Sequence, residues 1–178
     1  MEYVSHDPRA KVRSPDILFI VESFQFAPSL VDVLLKKHGL DRSSFGVAEY
    51  VPLQNALDML KEIEERVGRE KLRQLGNTTV EAAMFPPQFV DVESVLLALD
   101  MIYSINHLGE VGHYHSKQLV DGAIEVRCET PYPRAFERGV IEGIARNPNL
   151  VKGKRYDVEY IEGPMGGDLS CTCIVRRR

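Results

Sequence analysis

Residues 124–129 read Ile-Glu-Val-Arg-Cys-Glu, and this alternation of apolar and polar side chains decides the fold class. A period of two places the apolar side chains on one face of a strand, so the stretch predicts a half-buried β-strand. The same alternation occupies residues 156–160 and 169–175, and a shorter one follows Gly112 at residues 113–115. Because the link between the last two strands is short, we expect that pair to be antiparallel.

The residues that precede these strands have a helical period instead. One apolar stripe follows Pro52 and consists of Leu53, Leu57, Leu60, Ile63 and Val67. Steps of three and four residues are typical of the buried face of a helix. A second long helix is predicted over residues 92–108 for the same reason. Its apolar face consists of Val92, Val95, Leu96, Leu99, Ile102 and Tyr103. Between the two we predict a short helix over 70–75 that Gly76 ends, and another over 78–84.

The order of these elements predicts an α+β fold. A helix over residues 134–146 separates two pairs of strands, which gives the second half the order ββαββ. We expect an N-terminal helical layer packed on a small, mostly antiparallel C-terminal sheet. Residues 1–15 are expected to be a polar tail that can be disordered. Residues 16–178 are expected to form a single ligand-binding-type domain. That domain is mainly helical over 16–110 and has mixed strands and one helix over 111–178.

The composition excludes several classes of protein. The 178 residues are 44% apolar and 27% charged, which is the ordinary mixture of a globular protein. A net charge of −4 gives no support to nucleic-acid binding, which needs a basic face. No apolar run approaches the roughly 18 residues that cross a bilayer. Residues 1–15 also lack the apolar core of a signal peptide. We therefore expect a cytoplasmic protein with no membrane span and no nucleic-acid partner.

No catalytic motif stands out in the sequence. The glycine-rich residues 163–167 precede a strand rather than a helix, so they predict a hairpin loop and not a phosphate-binding loop. We find no nucleophile elbow, no zinc-protease motif and no carboxylate pair set apart on an apolar background. We therefore expect the chain not to be an enzyme.

Histidines and cysteines offer one alternative, a metal site. His113 and His115 lie two residues apart on a predicted strand and share one face, which is a spacing compatible with metal ligation. Cys171 and Cys173 have the same spacing, and Cys128 adds a third sulfur to a mixed nitrogen and sulfur site. All three cysteines also fall at apolar positions of their strands, where a free cysteine acts as a small hydrophobe. Zinc at these residues therefore stays an alternative.

Tyr103 and His107 lie one turn apart, late in the predicted long helix, and would present a phenol and an imidazole to a cavity. We expect an apolar pocket between that helix and the sheet, with a few polar groups on its wall. The residues expected to bind the ligand are Leu99, Tyr103, His107, Cys128 and Tyr132. A small apolar ligand would favour one packing of helices against sheet. The function expected is therefore that of a non-catalytic small-molecule sensor.

Several stretches of the chain resemble an uncharacterised bacterial family. They are residues 37–41, 50–53, 85–87, 99–100, His107, 109–114, 130–133 with Phe136, Arg138 and Gly139, and 166–168 with Cys171 and Thr172. That family is distantly similar to the haem-nitric oxide/oxygen-binding domains, the 4-vinyl reductase-type small-molecule-binding domains and the transport-particle subunits. The resemblance implies helices packed on an antiparallel sheet around an enclosed apolar pocket. It also implies a sensor or an adaptor rather than an enzyme.

The sequence departs from the haem-binding relatives at two places. The resemblance implies an iron-ligating histidine in a Leu-Asp-x-x-His pattern, but Tyr103 stands at that position and His107 comes one turn late. The relatives' Tyr-x-Ser-x-Arg clamp for the haem propionates is not recognisable, and Cys128, Thr130 and Tyr132 fall about where it belongs. We therefore expect no cofactor. Haem bound through Tyr103 or His107 is kept as an alternative, since tyrosinate also ligates haem iron.

Two further implications concern assembly and metal. The transport-particle relatives imply dimerisation through helices, so a dimeric structural or adaptor module is the first alternative function. An exposed apolar patch on the monomer would favour it. A haem- or metal-binding protein is the second alternative. The closer family implies a cysteine directly after Pro-Tyr-Pro, where this chain has Arg134. The partners expected are a small apolar ligand and either a second copy of the chain or a signalling protein.

Overall fold

The computed structural model describes residues 2–23, 28–40, 45, 49–82, 85–161 and 171–178. The helices are α1 (Ser14–Glu22), α2 (Pro28–Lys37), α3 (Leu53–Val67), α4 (Arg69–Ala82), α5 (Val92–Leu97), α6 (Leu99–Ile105), α7 (Arg134–Arg146) and α8 (Pro148–Val151). The strands are β1 (Lys11–Arg13), β2 (Tyr50–Pro52), β3 (His107–Leu108), β4 (His113–Gln118), β5 (Ile124–Glu129), β6 (Tyr156–Ile161) and β7 (Cys171–Arg177). The predicted loop at 163–167 lies outside the described residues.

The C-terminal sheet confirms the predicted fold class. Its four strands have the order β4-β5-β7-β6, and each neighbouring pair is antiparallel. Helix α7 packs on β6 and β7, while α5 and α6 contact β4. The predicted order ββαββ is therefore present, with the short helix α8 added after α7. Buried apolar side chains from both halves of the chain belong to one cluster.

A second sheet was not expected from the sequence. Strand β1 pairs in antiparallel fashion with both β2 and β3. Strand β1 begins at Lys11, so the last residues of the expected tail over 1–15 belong to the folded protein. Strands of two or three residues are too short for a period of two to be recognised. Their pairing partners, moreover, come from distant parts of the chain.

The predicted helix over 92–108 is shorter and interrupted. A capping box between Asp91 and Ser94 begins α5. Ala98, with φ −99° and ψ 9°, separates α5 from α6. Helix α6 ends at Ile105, and His107 belongs to β3. The expectation that His107 lies on the helix with Tyr103 is therefore wrong, although the two side chains still meet.

Helix α4 continues through Gly76, where the sequence predicted a helix end. An added Cβ at Gly76 would overlap the carbonyl oxygen of Phe136 on α7. An added Cβ at Gly139 would likewise overlap the carbonyl oxygen of Arg73 on α4. These glycines are therefore required for the close approach of α4 and α7, and not for a turn. No helix among the described residues is long and apolar enough to span a membrane.

We expect Gly139→Ala to lower the free energy of unfolding by about 3 kcal/mol, because the new methyl group forces the two helices apart. Urea unfolding measures this change. The control is Lys61→Ala, an exposed position on α3, which should change stability by less than about 0.5 kcal/mol. Unfolding of Gly139→Ala at the same urea concentration as the wild type would contradict the close packing of α4 on α7.

Candidate ligand-binding site

Tyr103 is buried at the centre of a cluster of aromatic side chains. Its hydroxyl donates a hydrogen bond of 2.6 Å to the carbonyl oxygen of Val111. The ring lies 4.1 Å from the ring of His107 and 5.2 Å from that of Tyr114, measured between centroids. Burial raises the pKa of the Tyr103 phenol well above its ordinary value, because the charged form loses its hydration. The phenol therefore stays protonated.

The hydrogen bonds of His107 define the tautomer of its imidazole. Nδ1 lies 2.8 Å from the carbonyl oxygen of Tyr103, which accepts hydrogen bonds only, so Nδ1 carries the proton. Nε2 then presents its lone pair and accepts from the hydroxyl of Tyr132 at 2.8 Å. Burial lowers the pKa of His107 to about 4. The imidazole is therefore neutral at physiological pH.

Tyr132 connects this cluster to helix α7. Its ring meets those of Tyr103 and His107 edge to face, at 6.2 Å and 5.7 Å between centroids. It also stacks on Phe136, with centroids 5.7 Å apart. Such aromatic arrangements are favourable beyond the area that they bury.

Glu137 on α7 is a functional candidate that the sequence analysis missed. Its carboxylate accepts hydrogen bonds from the hydroxyls of Tyr114 and Thr130, and the residue is 1% exposed. Burial raises its pKa to about 7, although the two hydroxyls act in the opposite direction. Glu137 precedes Ile141 by four residues and Ile144 by seven, so it lies on the apolar stripe of its helix. A charged residue at such a position was the available signal.

A cavity of about 350 Å³ lies beside these groups, within the size range of small-molecule sites. It is lined by Glu2, His6, Cys128, Glu129, Thr130, Tyr132, Arg134, Glu137 and Cys171. Two of the predicted ligand-binding residues, Cys128 and Tyr132, are on its wall. The other three do not line the cavity. Leu99 and Tyr103 are buried in the core, and His107 packs against the ring of Tyr132. The mixed charged and polar lining also differs from the apolar pocket that the sequence predicted.

The N-terminal segment closes one side of this cavity. Glu2 accepts a hydrogen bond of 2.7 Å from the backbone N–H of Arg134, the first residue of α7. The same carboxylate lies 3.8 Å from the Arg134 guanidinium. Tyr3 holds the segment in place, because its N–H donates to the carbonyl oxygen of Pro131 at 2.7 Å. Residues within the expected tail therefore form part of the site.

The candidate metal ligands lie on two different faces of the C-terminal sheet. His113 and His115 are on the exposed face and pair with Asp100 and Glu129, at 3.2 Å and 2.9 Å. The three cysteines are free and buried on the opposite face. The mixed site of histidines and cysteines is therefore not formed. The described part of the chain contains no group of three or more His, Cys, Asp or Glu placed to hold a metal ion.

No protein-family description and no curated protein matches the chain in sequence. Solved structures do match in fold. An H-NOX protein from Shewanella oneidensis, in its Fe(II)NO ligation state, has a TM-score of 0.63 at 15% identity, over 92% of this chain and 98% of that one. An oxygen-binding H-NOX domain related to soluble guanylate cyclases, in complex with oxygen, has a TM-score of 0.63 at 17% identity, over 92% of each chain. A mutant of the T. tengcongensis H-NOX domain has 0.64 at 16%, over 93% and 96%.

The chain has an H-NOX-like fold. The predicted resemblance to haem-nitric oxide/oxygen-binding domains is thus confirmed for the fold, which is all that similarity at this level of identity demonstrates. The expectation of no cofactor is contradicted by the same comparison, because these neighbours are H-NOX proteins, one solved in the Fe(II)NO ligation state and one in complex with oxygen.

The buried carboxyl of Glu137 predicts a pH dependence of stability. Its pKa is higher in the folded state than in the unfolded chain, so its contribution to stability declines as pH rises from about 4.5 to about 7. Relative to Glu137→Gln, which carries no proton that titrates here, we expect the wild type to lose roughly 3 kcal/mol of stability over this range. The opposing contribution of His107, which rises with pH, is common to both proteins. Thermal unfolding across that range measures the effect. Glu65→Gln, at an exposed position on α3, is the control and should keep the wild-type dependence. An unchanged pH slope in Glu137→Gln would contradict the assignment.

Proposed function

We propose that this chain is a non-catalytic haem-binding sensor domain in which His107 is the iron ligand. The observation that carries the proposal is the neutral His107 imidazole, whose Nδ1 donates its proton to the Tyr103 carbonyl and whose Nε2 lone pair faces the hydroxyl of Tyr132 on the cavity wall. Metal-ligating histidines have this arrangement, since a bond from one nitrogen to a carbonyl or carboxylate fixes the other as the donor. The low pKa of His107 also removes competition from a proton.

Tyr103 is the weaker of the two alternative iron ligands. A tyrosine binds iron as the tyrosinate, and burial raises the pKa of this phenol. Its hydroxyl is also engaged with Val111. The donor chemistry therefore favours His107, which the sequence pattern placed one turn late, over the residue at the position of the relatives' histidine.

Tyr132 is the residue that must move when His107 binds iron. Its hydroxyl now occupies the lone pair of Nε2. Tyr132 also lies on the wall of the 350 Å³ cavity, so its rotation would join the imidazole to that cavity. Haem, when bound, supplies an iron centre that takes a diatomic gas. The protein's part is to orient the imidazole and to change its packing of helices against sheet for a signalling partner.

The haem carboxylates have a candidate site in the same cavity. Two hydroxyls and a guanidinium lie on the cavity wall, from Thr130, Tyr132 and Arg134. These residues alternate with two prolines in the sequence. These three residues have the spacing of the Tyr-x-Ser-x-Arg clamp. They lie two residues later than Cys128, Thr130 and Tyr132, where the resemblance placed it. Arginine binds carboxylates in charge-assisted pairs. Arg134 binds the carboxylate of Glu2, whose place a haem carboxylate would take.

Haem titration followed by visible absorption tests this function. We expect the purified wild-type protein to bind haem stoichiometrically with a distinct Soret band. His107→Ala should weaken binding about 100-fold or more, since loss of a supporting contact alone costs roughly 10- to 100-fold. Tyr103→Phe, which keeps the aromatic ring, is the matched control and should retain affinity and spectrum.

A second arm of the titration examines Arg134. Glu2→Gln should strengthen haem binding, because the competing carboxylate loses its charge. Circular dichroism verifies that each variant is folded. The proposal is wrong if the folded wild type takes up no haem, or if His107→Ala retains the wild-type affinity and Soret band.

One observation favours the alternative of a dimeric adaptor. Leu97, Met101, Ile105 and Leu108 recur at steps of four, four and three along α5, α6 and β3, and each is 45–55% exposed. This apolar row on the outer face of the helices suits a second copy of the chain, which would bury the same row in return. The cytoplasmic location and the identity of a signalling partner stay predictions.

We expect light scattering coupled to size-exclusion chromatography to give a concentration-dependent dimer for the wild type if this row is the interface. Met101→Glu should then shift the protein to the monomer, because a charge in an apolar interface is costly. Val120→Glu, at an exposed position outside the row, is the control. A wild type that remains monomeric at all concentrations would exclude the adaptor alternative.

A further inference from the structure

Cys128 and Cys171 form a pair of thiols that the proposed function does not use. They are register partners on the antiparallel strands β5 and β7, so their side chains leave the same face directly opposite one another. Opposite residues in such a ladder have Cα atoms about 4.5–5.5 Å apart. Disulfides join Cα atoms over about 4.4–6.8 Å. A bond between these sulfurs therefore requires side-chain rotation but no movement of the strands.

The third cysteine does not share this geometry. Cys173 lies opposite Val126, two residues further along β7. Its distance from Cys128 is therefore that of a diagonal pair, about 7–8 Å between Cα atoms. Cα atoms more than about 7 Å apart are not bridged without movement of the backbone. The sheet thus favours the pairing of Cys128 with Cys171 over that of Cys128 with Cys173.

The cavity gives a small oxidant access to this pair. Cys128 and Cys171 both line the 350 Å³ space, together with Thr130 and Tyr132. Cys173 is not among its lining residues. A molecule of the size of hydrogen peroxide therefore meets both sulfurs from one side, although both residues are buried beneath the protein surface.

We propose that Cys128 and Cys171 are a redox modification site that closes to a disulfide on reaction with a hydroperoxide. The Cys171 sulfur attacks one peroxide oxygen, and its thiol proton passes to the departing oxygen. The O–O bond breaks, the second oxygen leaves as water after protonation, and Cys171 becomes a sulfenic acid. The Cys128 sulfur then attacks the Cys171 sulfur, the S–O bond breaks, and the departing hydroxide takes the Cys128 thiol proton and leaves as a second water. Two thiols are oxidised and one hydrogen peroxide is reduced to two waters.

The disulfide would cross-link β5 to β7 in the wall of the cavity. Because the link restricts the unfolded chain, the oxidised protein should unfold at a higher temperature than the reduced one. An effect of oxidation on haem binding rests on the proposed function, since it requires that the cavity takes haem. The modification itself does not, so its test is separate from the haem titration.

The test uses the full chain, reduced, freed of reductant and treated with hydrogen peroxide without haem. We expect the thiol count of the denatured protein to fall from three to one and the intact mass to fall by two hydrogens. Dithiothreitol should reverse both changes. Peptide mapping should identify a link between Cys128 and Cys171.

Cys173→Ser is the matched variant and should still lose two thiols. Cys128→Ser and Cys171→Ser should form no intramolecular link, with Cys128→Ala as a second variant if the serine disturbs folding. Retention of three thiols in the treated wild type would overturn the proposal. So would a mapped link to Cys173, or a Cys173→Ser protein that loses no thiols.

Discussion

The close contact between α4 and α7 is the constraint on which the rest of the structure depends. Because Gly76 and Gly139 have no side chains, a backbone carbonyl of each helix approaches the Cα of the other. Helix α7 also packs on β6 and β7, so this helix joins the helical half to the sheet. The contact therefore holds Phe136 and Glu137 at the boundary between the two layers, where the candidate site lies.

The sequence predicts those elements in which the local period agrees with the tertiary environment. Apolar and polar side chains alternate over residues 124–129 because one face of β5 is buried. After Pro52, apolar side chains recur at steps of three and four because one face of α3 is buried. The same agreement holds for α7. At the site, Cys128 lies beside the cavity on the buried face that the alternation of β5 predicts. Tyr103 and His107 also meet, but through the chain that follows α6 and not through the helix that the sequence predicted.

Features set by contacts between distant residues escape this kind of prediction. Gly68, with φ 85°, ends a helix, whereas Gly76 permits helix packing, and one residue type gives the same local signal for both. Glu137 becomes a buried acid through Tyr114 and Thr130, and Tyr114 lies 23 residues away in the sequence. The short strands of the second sheet likewise exist only through their partners.

The position of Glu137 makes occupancy of the cavity a proton-linked event. With a pKa of about 7, its carboxyl is partly protonated in neutral solution. A ligand that brings negative charge to the neighbourhood of Thr130 and Tyr132 would raise that pKa further and take up a proton as it binds. The affinity for such an anion would decline towards alkaline solution, and an unbuffered sample would become more alkaline as the cavity fills.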